Sequence, residues 1–578
     1  MIEKENAKAI QGGGLITLLR SFLFSEEKMR WVYLFFGLFI IVGTMWRLQF
    51  ATDAICCGDF DGYYHIRWSS LLWESMKSGQ LLPQFNWLPL TVLNSEGYAD
   101  HHYLFHLLQI PFLWFFDDVT AAKVAAVVFG SGAVFSIYWL LFRYRVKYLL
   151  VWLFALMACA SPFFYRMNMA KAPPLTIVFT VIGIVLLFER RYLWLLPLMF
   201  LFVWTYSLFP LLFIAAVIWT GLIVWNERVF KWQPIFYSGL GLILGNVINP
   251  YFPDNLKLFY EHFATKFNVA GDFIVSVGGE WYPYSAQEML TYFPVAMGAM
   301  LIGYIFFTFR QNQIPEKSGF LLIFVTILLA AQFRSKRFAE YFPPFAILFA
   351  SFSIKDFFFQ PRHSLPPEFL QDLTPLLDED SKIQLSSWRQ RRTYIAWGLG
   401  LFFFGWTLIN VNGIDLRPYA GDGWKGWPLI RNVFSVRQEG IIETISANDG
   451  DQKYRGAGDW ARLNIPKGER IFNCNWDDFP KLFFVDTNHQ YVYGLDPNYL
   501  YSVNPELFKL MVEITSGSHD DAAELIRENF GARFIFSDAK ENELMLRKGI
   551  EAGQMKVVFE DDDAKILEII TAEKRASD

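Results

Sequence analysis

The chain runs to 578 residues, 53% hydrophobic, 19% aromatic and 19% charged, whereas an ordinary soluble domain carries about a quarter charged residues. A net charge of −5 offers no electrostatic footprint for nucleic acid, so no such partner is expected. The four cysteines, Cys56, Cys57, Cys159 and Cys474, lack metal-site spacing, and a bridge between the adjacent Cys56 and Cys57 would be strained.

Residues 1–30 form a polar N-terminal segment, and the apolar run after it is too long for the core of a cleavable signal. From residue 31 to 411, apolar runs of spanning length recur near 31–50, 121–142, 147–165, 174–189, 192–207, 208–226, 233–250, 291–309, 318–333, 341–356 and 393–411. They predict a polytopic α-helical membrane domain with about eleven spans. The short loops 143–148, 189–191, 226–232 and 309–317 and the segment 388–392 are basic. With a cytoplasmic N-terminus, eleven spans put all of them inside, in agreement with the positive-inside rule.

The same topology places a long first loop, residues 51–120, outside. It is acidic, and within it "YHIRWSSLLWESMKSG" carries Ile66, Leu71, Leu72 and Met76 at helical spacing, with Gly79 as a stop. "YLFHLLQIPFLWFF" (103–116) is short, apolar and interrupted by Pro111, which reads as an interfacial helix. Beyond residue 412 the composition turns globular. Strands are expected in "ERIFNCNW", "QYVYGLD" and "RFIFSD", a hairpin in "KVVFEDDDAKILEII", and helices in "NPELFKLMVEITSG" and "HDDAAELIRENFGA". Residues 412–578 are therefore expected to form a soluble, extracytoplasmic α/β domain.

Three outer features can carry chemistry. In "CCGDFDGYYHIRWSS" (56–70), Asp59 and Asp61 stand one residue apart. Such a pair suits a hard divalent cation such as Mg²⁺ or Mn²⁺, or the orientation of a nucleophile; its structural alternative is a polar helix cap. Tyr63, Tyr64, His65 and Arg67 follow directly, and Arg67 could pair with phosphate. Further along the loop, His102 and His106 share a helical face, as a metal pair or as interfacial hydrogen-bonders. The second feature, "FRSKRFAEYFPPF" (333–345), puts Arg334, Lys336 and Arg337 outside, against the charge trend. Cations there either snorkel or clamp an anion such as a diphosphate. The third is Glu280 in "VSVGGEWYPYSAQEML", flanked by Trp281 and Tyr282.

Taken together, these motifs resemble the catalytic subunits of oligosaccharyltransferases, within the membrane glycosyltransferase C superfamily. The resemblance in architecture covers most of the chain; in sequence it is local. It implies transfer of a glycan from a polyprenyl phosphate or diphosphate carrier to a protein, lipid or glycan acceptor on the outer face of a membrane. In "DGYYHIR", Asp61 then corresponds to the catalytic and metal-binding aspartate, with Asp59 nearby. Arg337 of "RFAEYFPPFAILFA" corresponds to the arginine that binds the carrier's phosphates. Glu280 corresponds to a metal- or acceptor-proximal glutamate, one residue further from Ser276 than usual. Asn475-Trp476-Asp477 stands where such enzymes carry a Trp-Trp-Asp motif. The second outer loop, "YRMNMAKAPPLTI" (165–177), departs from the pattern: Lys171, Pro173 and Pro174 appear where an acidic pair is usual. The lysine would then replace a cation's charge, or the metal would be lost.

The sequence thus predicts a membrane glycosyltransferase, multi-pass, in a bacterial inner membrane and surrounded by membrane lipids. A transporter, or a non-catalytic glycolipid-binding relative, is the alternative. For the enzyme, Asp61 and Glu280 are the expected catalytic residues, and Asp61, Asp59 and His102 the expected metal ligands. The substrate-binding candidates are Arg337, Arg334, Lys336, Tyr63, Tyr64, His65, Arg67, Lys171, Trp476 and Asp477.

Overall fold

The computed structural model describes residues 26–57, 60–264, 278–308, 313–358, 379–415, 437–438, 440–447 and 450–570. Asp59 lies outside the described residues. Each apolar run folds as helix, but the runs differ in how they cross. Among the described residues, four helices are long and apolar enough to span a membrane: Glu27–Gln49, Asp118–Arg143, Pro210–Glu227 and Thr393–Asn412. Two bent pairs bring the number to six, Leu149–Met157 with Ser161–Met167 at 83° and Ala286–Tyr292 with Pro294–Phe306 at 90°.

The expected eleven spans are not reached on these terms, and proline supplies part of the reason. Ser161–Met167 and Pro294–Phe306 both carry proline in their first turn, where the missing N–H costs nothing but a straight continuation from the preceding helix is barred. Pro173–Phe188 likewise opens on proline and covers only 16 residues. Cys56 and Cys57 are joined as a disulfide.

The two ends of the helical domain differ in charge chemistry. At one end the short loops meet in surface ion pairs: Arg143 with Glu189 at 2.8 Å, and Arg190 with Glu227 at 2.6 Å and Glu316 at 2.8 Å. The long loop 51–120 and the C-terminal domain close the opposite end. Asp61–Lys77 forms the expected helix, and Gly79 follows its end with φ +87°, a left-handed conformation that glycine adopts without strain. This helix packs against Phe479–Val485 of the C-terminal domain. Trp68 is fully buried there against Phe85, Trp87 and Tyr98, a side chain whose removal from such a core costs roughly 3–5 kcal/mol. Backbone bonds complete the seam: Tyr491 N–H donates to Trp87 O at 2.8 Å and Val92 N–H to Tyr499 O at 3.0 Å.

The C-terminal domain is built on a five-stranded mixed sheet in the order Gln490–Tyr491, Arg470–Asn473, Phe534–Asp538, Ala564–Ile569, Met555–Glu560. The first three strands run parallel, and the last two form the expected antiparallel hairpin. Phe472, Ile535 and Leu567 bury one face of the sheet under the surrounding helices. The carboxyl ends of the two longer parallel strands lead to Trp476 and to Asp538–Glu541, and these face the helical domain across a cavity.

Candidate active site

A cavity of about 560 Å³ opens between the helical domain, the long loop 51–120 and the C-terminal domain. Asp61, Tyr64, His65, His102, Lys171, Glu280, Arg337, Trp476 and Asp477 all line it. They come from six separate stretches of sequence.

Asp61 stands in the first turn of its helix, where the dipole favours a carboxylate. Gly62 lets this turn press against residue 170: a Cβ there would meet Ile55 Cγ2 at 2.7 Å and Ala170 Cβ at 3.1 Å. That close approach delivers Lys171, whose Nζ lies 2.8 Å from Asp61 Oδ2. The departure noted in the second outer loop is therefore a direct partner of the first-loop aspartate.

Arg166 and Arg337 form a cationic pair deeper in the cavity wall. The Ser161–Met167 turn that carries Arg166 is pressed against the long helix Asp118–Arg143 at Gly130, where a Cβ would sit 2.4 Å from Met167 O. Arg166 Nη2 reaches Glu280 Oε2 at 3.0 Å and Glu340 Oε1 at 2.5 Å. Arg337 Nη2 reaches Glu280 Oε1 at 2.6 Å, and its guanidinium stacks over the Trp281 ring at 4.2 Å. Its Nε is buried with no hydrogen-bond partner among the described residues. Glu280 is held in place by its own backbone, since Ser335 Oγ donates to Glu280 O at 3.0 Å. Burial alone would raise the Glu280 carboxyl, but Arg337 and Arg166 hold it well below the usual carboxylate range. One carboxylate thus bridges two guanidiniums, the arrangement in which an oxyanion such as phosphate binds.

The C-terminal domain supplies an acidic wall: Asp477, Asp478, Asp538 and Glu541, with Lys453 paired to Asp538 at 2.9 Å. Burial first, then neighbouring Asp477, pushes the Asp478 carboxyl well above its ordinary value. The Tyr454 hydroxyl lies 2.8 Å from both Asp478 Oδ1 and Asp538 Oδ2. It has one proton to give, so it must accept from one of the two. Asp538 is kept charged by backbone donation and by Lys453 despite its burial, which makes Asp478 the protonated partner. Asp477 is raised as well, by burial, and Glu541 by burial and Asp538.

Four of the expected site residues do not line the cavity. Arg334 is exposed. Lys336 turns to Glu288 at 3.1 Å and the Tyr284 ring at 5.1 Å. Arg67 donates to Thr487 Oγ1 at 3.4 Å rather than facing a phosphate site. The Tyr63 hydroxyl bonds Asp451 at 3.2 Å, with Lys481 over its ring. Conversely, Arg166, Tyr454 and Asp478 line the cavity and were not singled out from sequence.

Of the residues expected to hold a metal, Asp59 lies outside the described residues, and the others have partners of their own. Both ring nitrogens of His106 are engaged, with Asp100 at 2.6 Å and His65 at 2.8 Å, so it cannot pair with His102 on a cation. His102 stacks on Tyr206 with centroids 5.3 Å apart, and burial among His101 and His65 holds its imidazole well below the usual basicity. Asp61 gives its Oδ2 to an ammonium. Among the described residues, no three His, Cys, Asp or Glu side chains are grouped to hold a metal ion. These residues do not fit the divalent site that the resemblance implies, and no chemical step below runs through one.

No protein-family profile and no curated protein sequence matches the chain. Solved structures do match. The oligosaccharyltransferase of Archaeoglobus fulgidus in its apo form superposes with TM-score 0.55 at 11% identity, over 87% of this chain and 69% of that one. The same enzyme tethered by a disulfide to an acceptor peptide with the NVT sequon gives TM-score 0.52, at 11% identity over 88% and 69%. ArnT from Cupriavidus metallidurans bound to undecaprenyl phosphate gives TM-score 0.49, at 12% identity over 94% and 98%. The chain shares the fold of the Archaeoglobus fulgidus oligosaccharyltransferase.

Proposed function

We propose that this protein is a membrane glycosyltransferase that moves a sugar or oligosaccharide from a polyprenyl phosphate or diphosphate carrier to an acceptor on the outer face of the membrane. One observation carries the reading: the Arg166–Glu280–Arg337 bridge and the Asp61–Lys171 pair line the same cavity. The first is a preformed oxyanion site, and the second sets a carboxylate beside it. The oligosaccharyltransferase fold supports the reading, and the basic short loops support a cytoplasmic face at the far end. On the same charge pattern, eleven crossings remain the proposed topology.

In this scheme the carrier's phosphate takes the place of the Glu280 carboxylate on Arg166 and Arg337. As the glycosidic C–O bond breaks, negative charge grows on the phosphate oxygen, and the fixed guanidiniums meet it without reorganising. Asp61 orients the acceptor's nucleophile and the developing positive charge at the sugar carbon, and Lys171 fixes the carboxylate's direction. Trp476 and Asp477, above the same cavity, select the acceptor.

The test is transfer from polyprenyl-linked glycans extracted from the source organism's own membranes, with the released carrier phosphate read by mass spectrometry. Asp61→Asn should reduce release at least a hundredfold while carrier binding persists. Full activity of a folded Asp61→Asn protein would overturn the assignment. Carrier binding without turnover in the native protein would indicate a glycolipid-binding relative instead, and solute flux in carrier-free vesicles a transporter.

A further inference from the structure

A chain of three side chains runs from the interior of the first outer loop to the cavity wall. Asp100 is buried; its Oδ1 accepts the His102 N–H at 2.8 Å, and its Oδ2 accepts the Trp68 indole N–H at 3.1 Å. His106 Nδ1 lies 2.6 Å from the same Oδ2, and His106 Nε2 lies 2.8 Å from His65 Nδ1. Both Asp100 oxygens face N–H donors, from Trp68, His102 and His106, so its carboxylate is an acceptor only.

With both imidazoles neutral, each proton along the line has one place. Asp100 takes the His106 Nδ1 proton. His106 Nε2 is then an acceptor and takes the proton on His65 Nδ1. His65 is left with a lone pair on Nε2, and no described residue hydrogen-bonds that atom. His65 lines the cavity one helical turn after Asp61, on the same face.

We propose that His65 is the base that removes the proton from a hydroxyl acceptor, with His106 and Asp100 as the positioning residues that keep its Nε2 unprotonated and aimed into the cavity. This rests on the glycosyltransferase reading and names the acceptor chemistry for it. The acceptor O–H bond breaks, its proton passes to His65 Nε2, and the oxygen lone pair forms the bond to the sugar's anomeric carbon. The bond from that carbon to the carrier's phosphate oxygen breaks, and its electron pair leaves with the phosphate onto Arg166 and Arg337. His65 then returns the proton to the released phosphate. The ion pair with Lys171 leaves Asp61 to orient, and the imidazole carries the proton.

The titratable neighbours of His65 come from several elements. Asp61 and Tyr64 share its helix. His101, His102 and His106 face it from the start of the Tyr103–Leu113 helix, and Lys171 from the second outer loop. His262 of the Asp254–Ala264 helix adjoins His101. The cluster is mostly cationic when protonated, so it favours a neutral imidazole at rest.

Chemical rescue in lipid nanodiscs tests the proposal, with the extracted polyprenyl-linked glycans as donor and water or glycerol as the hydroxyl acceptor. His65→Ala is expected to lower carrier release about a hundredfold or more, the usual contribution of a positioned base, with carrier binding unchanged. Added imidazole, which fits the vacated space beside the cavity, is expected to restore at least a tenfold gain that follows its unprotonated fraction as pH is varied. His106→Gln, which keeps a hydrogen-bonding side chain, serves if His65→Ala does not fold; it is expected to lower turnover about tenfold and to shift the acid limb of the pH profile without altering carrier affinity. A folded His65→Ala protein that retains activity, or that imidazole does not revive, overturns the role of His65 alone. Native protein that binds but never releases the carrier overturns the glycosyltransferase reading beneath it.

Discussion

Glu280→Gln is the sharpest probe of the oxyanion site, because it removes a charge and little else. The carboxylate now spans Arg337 at 2.6 Å and Arg166 at 3.0 Å, and a phosphate entering the site must displace it and then stay beside it. Two unit negative charges about 5 Å apart, at an effective dielectric near 20, repel by roughly 3 kcal/mol. Glu280 is partly exposed, so screening takes about half of that, and roughly 1.5 kcal/mol is left, about tenfold in affinity. The amide keeps an acceptor oxygen for one guanidinium, so the wall should not collapse. Undecaprenyl phosphate titrated into nanodiscs and read by native mass spectrometry should therefore bind the variant about tenfold more tightly. The same variant should melt earlier than the native protein at neutral pH. A carboxyl held below its unfolded value contributes stability above about pH 4.3 and loses it as pH falls, so the two proteins should converge in acid. Unchanged or weaker carrier binding by a well-folded variant would refute the picture of Glu280 as a phosphate surrogate.

Lys171→Asp replaces the ammonium beside Asp61 with a second carboxylate and should create a divalent site: Mn²⁺ should raise its melting temperature by at least about 2 °C while leaving the native protein unmoved, and equal shifts in both would sink the proposed substitution of lysine for a metal. Asp478→Asn should flatten the pH dependence of stability. The raised Asp478 carboxyl makes the folded protein bind an extra proton above about pH 3.9, so stability falls as pH rises through that window; melting temperatures from pH 5 to 8 should slope downward in the native protein and less so in the variant.

Much of this site was legible because its residues break local rules. Arg337 stands out as a cation on the wrong side for its charge, Asp61 as a carboxylate opening a helix just after a span, and Glu280 as a lone acid between aromatic rings. What the sequence does not carry is distance. Arg166 reads as one more basic residue at a helix end, because the partners that set it into the cavity wall, Glu280 and Glu340, lie 114 and 174 residues away. Arg334 and Lys336 share Arg337's charge and neighbourhood, but the 3₁₀ turn Lys336–Glu340 splays the three apart and hands Lys336 to Glu288. The span count is legible only in part for a similar reason: hydropathy windows register apolar length, whereas bends of 83° and 90° are set by where proline begins a new helix. In the C-terminal domain the strand and hairpin patterns could be read locally. The parallel pairing of Arg470–Asn473 with Phe534–Asp538 spans some sixty intervening residues and leaves no local trace.

The cavity is electrically polarised, and that polarity constrains how two substrates can share it. Arg166, Lys171 and Arg337 line the wall built from the helical domain; Asp477, Asp478, Asp538 and Glu541 line the wall built from the C-terminal domain. A phosphate would be attracted to the first and repelled by the second, so on the proposed reading the carrier's headgroup is held against the helical-domain wall. The acidic wall cannot be fully ionised without cost, and the shared Tyr454 hydroxyl shows how that cost is reduced, with Asp478 keeping its proton. On the proposed reading, a wall of neutral and half-neutralised carboxyls offers hydrogen-bond acceptors to a hydroxyl-rich acceptor, while still disfavouring a second phosphate. His65 and Asp61 lie on one helix face between these walls, where the reacting hydroxyl would have to meet the sugar carbon. The seam that fixes this geometry is the packing of the Asp61–Lys77 helix on Phe479–Val485. The C-terminal domain therefore completes the cavity, and on the proposed reading its acidic face selects which acceptors reach the donor.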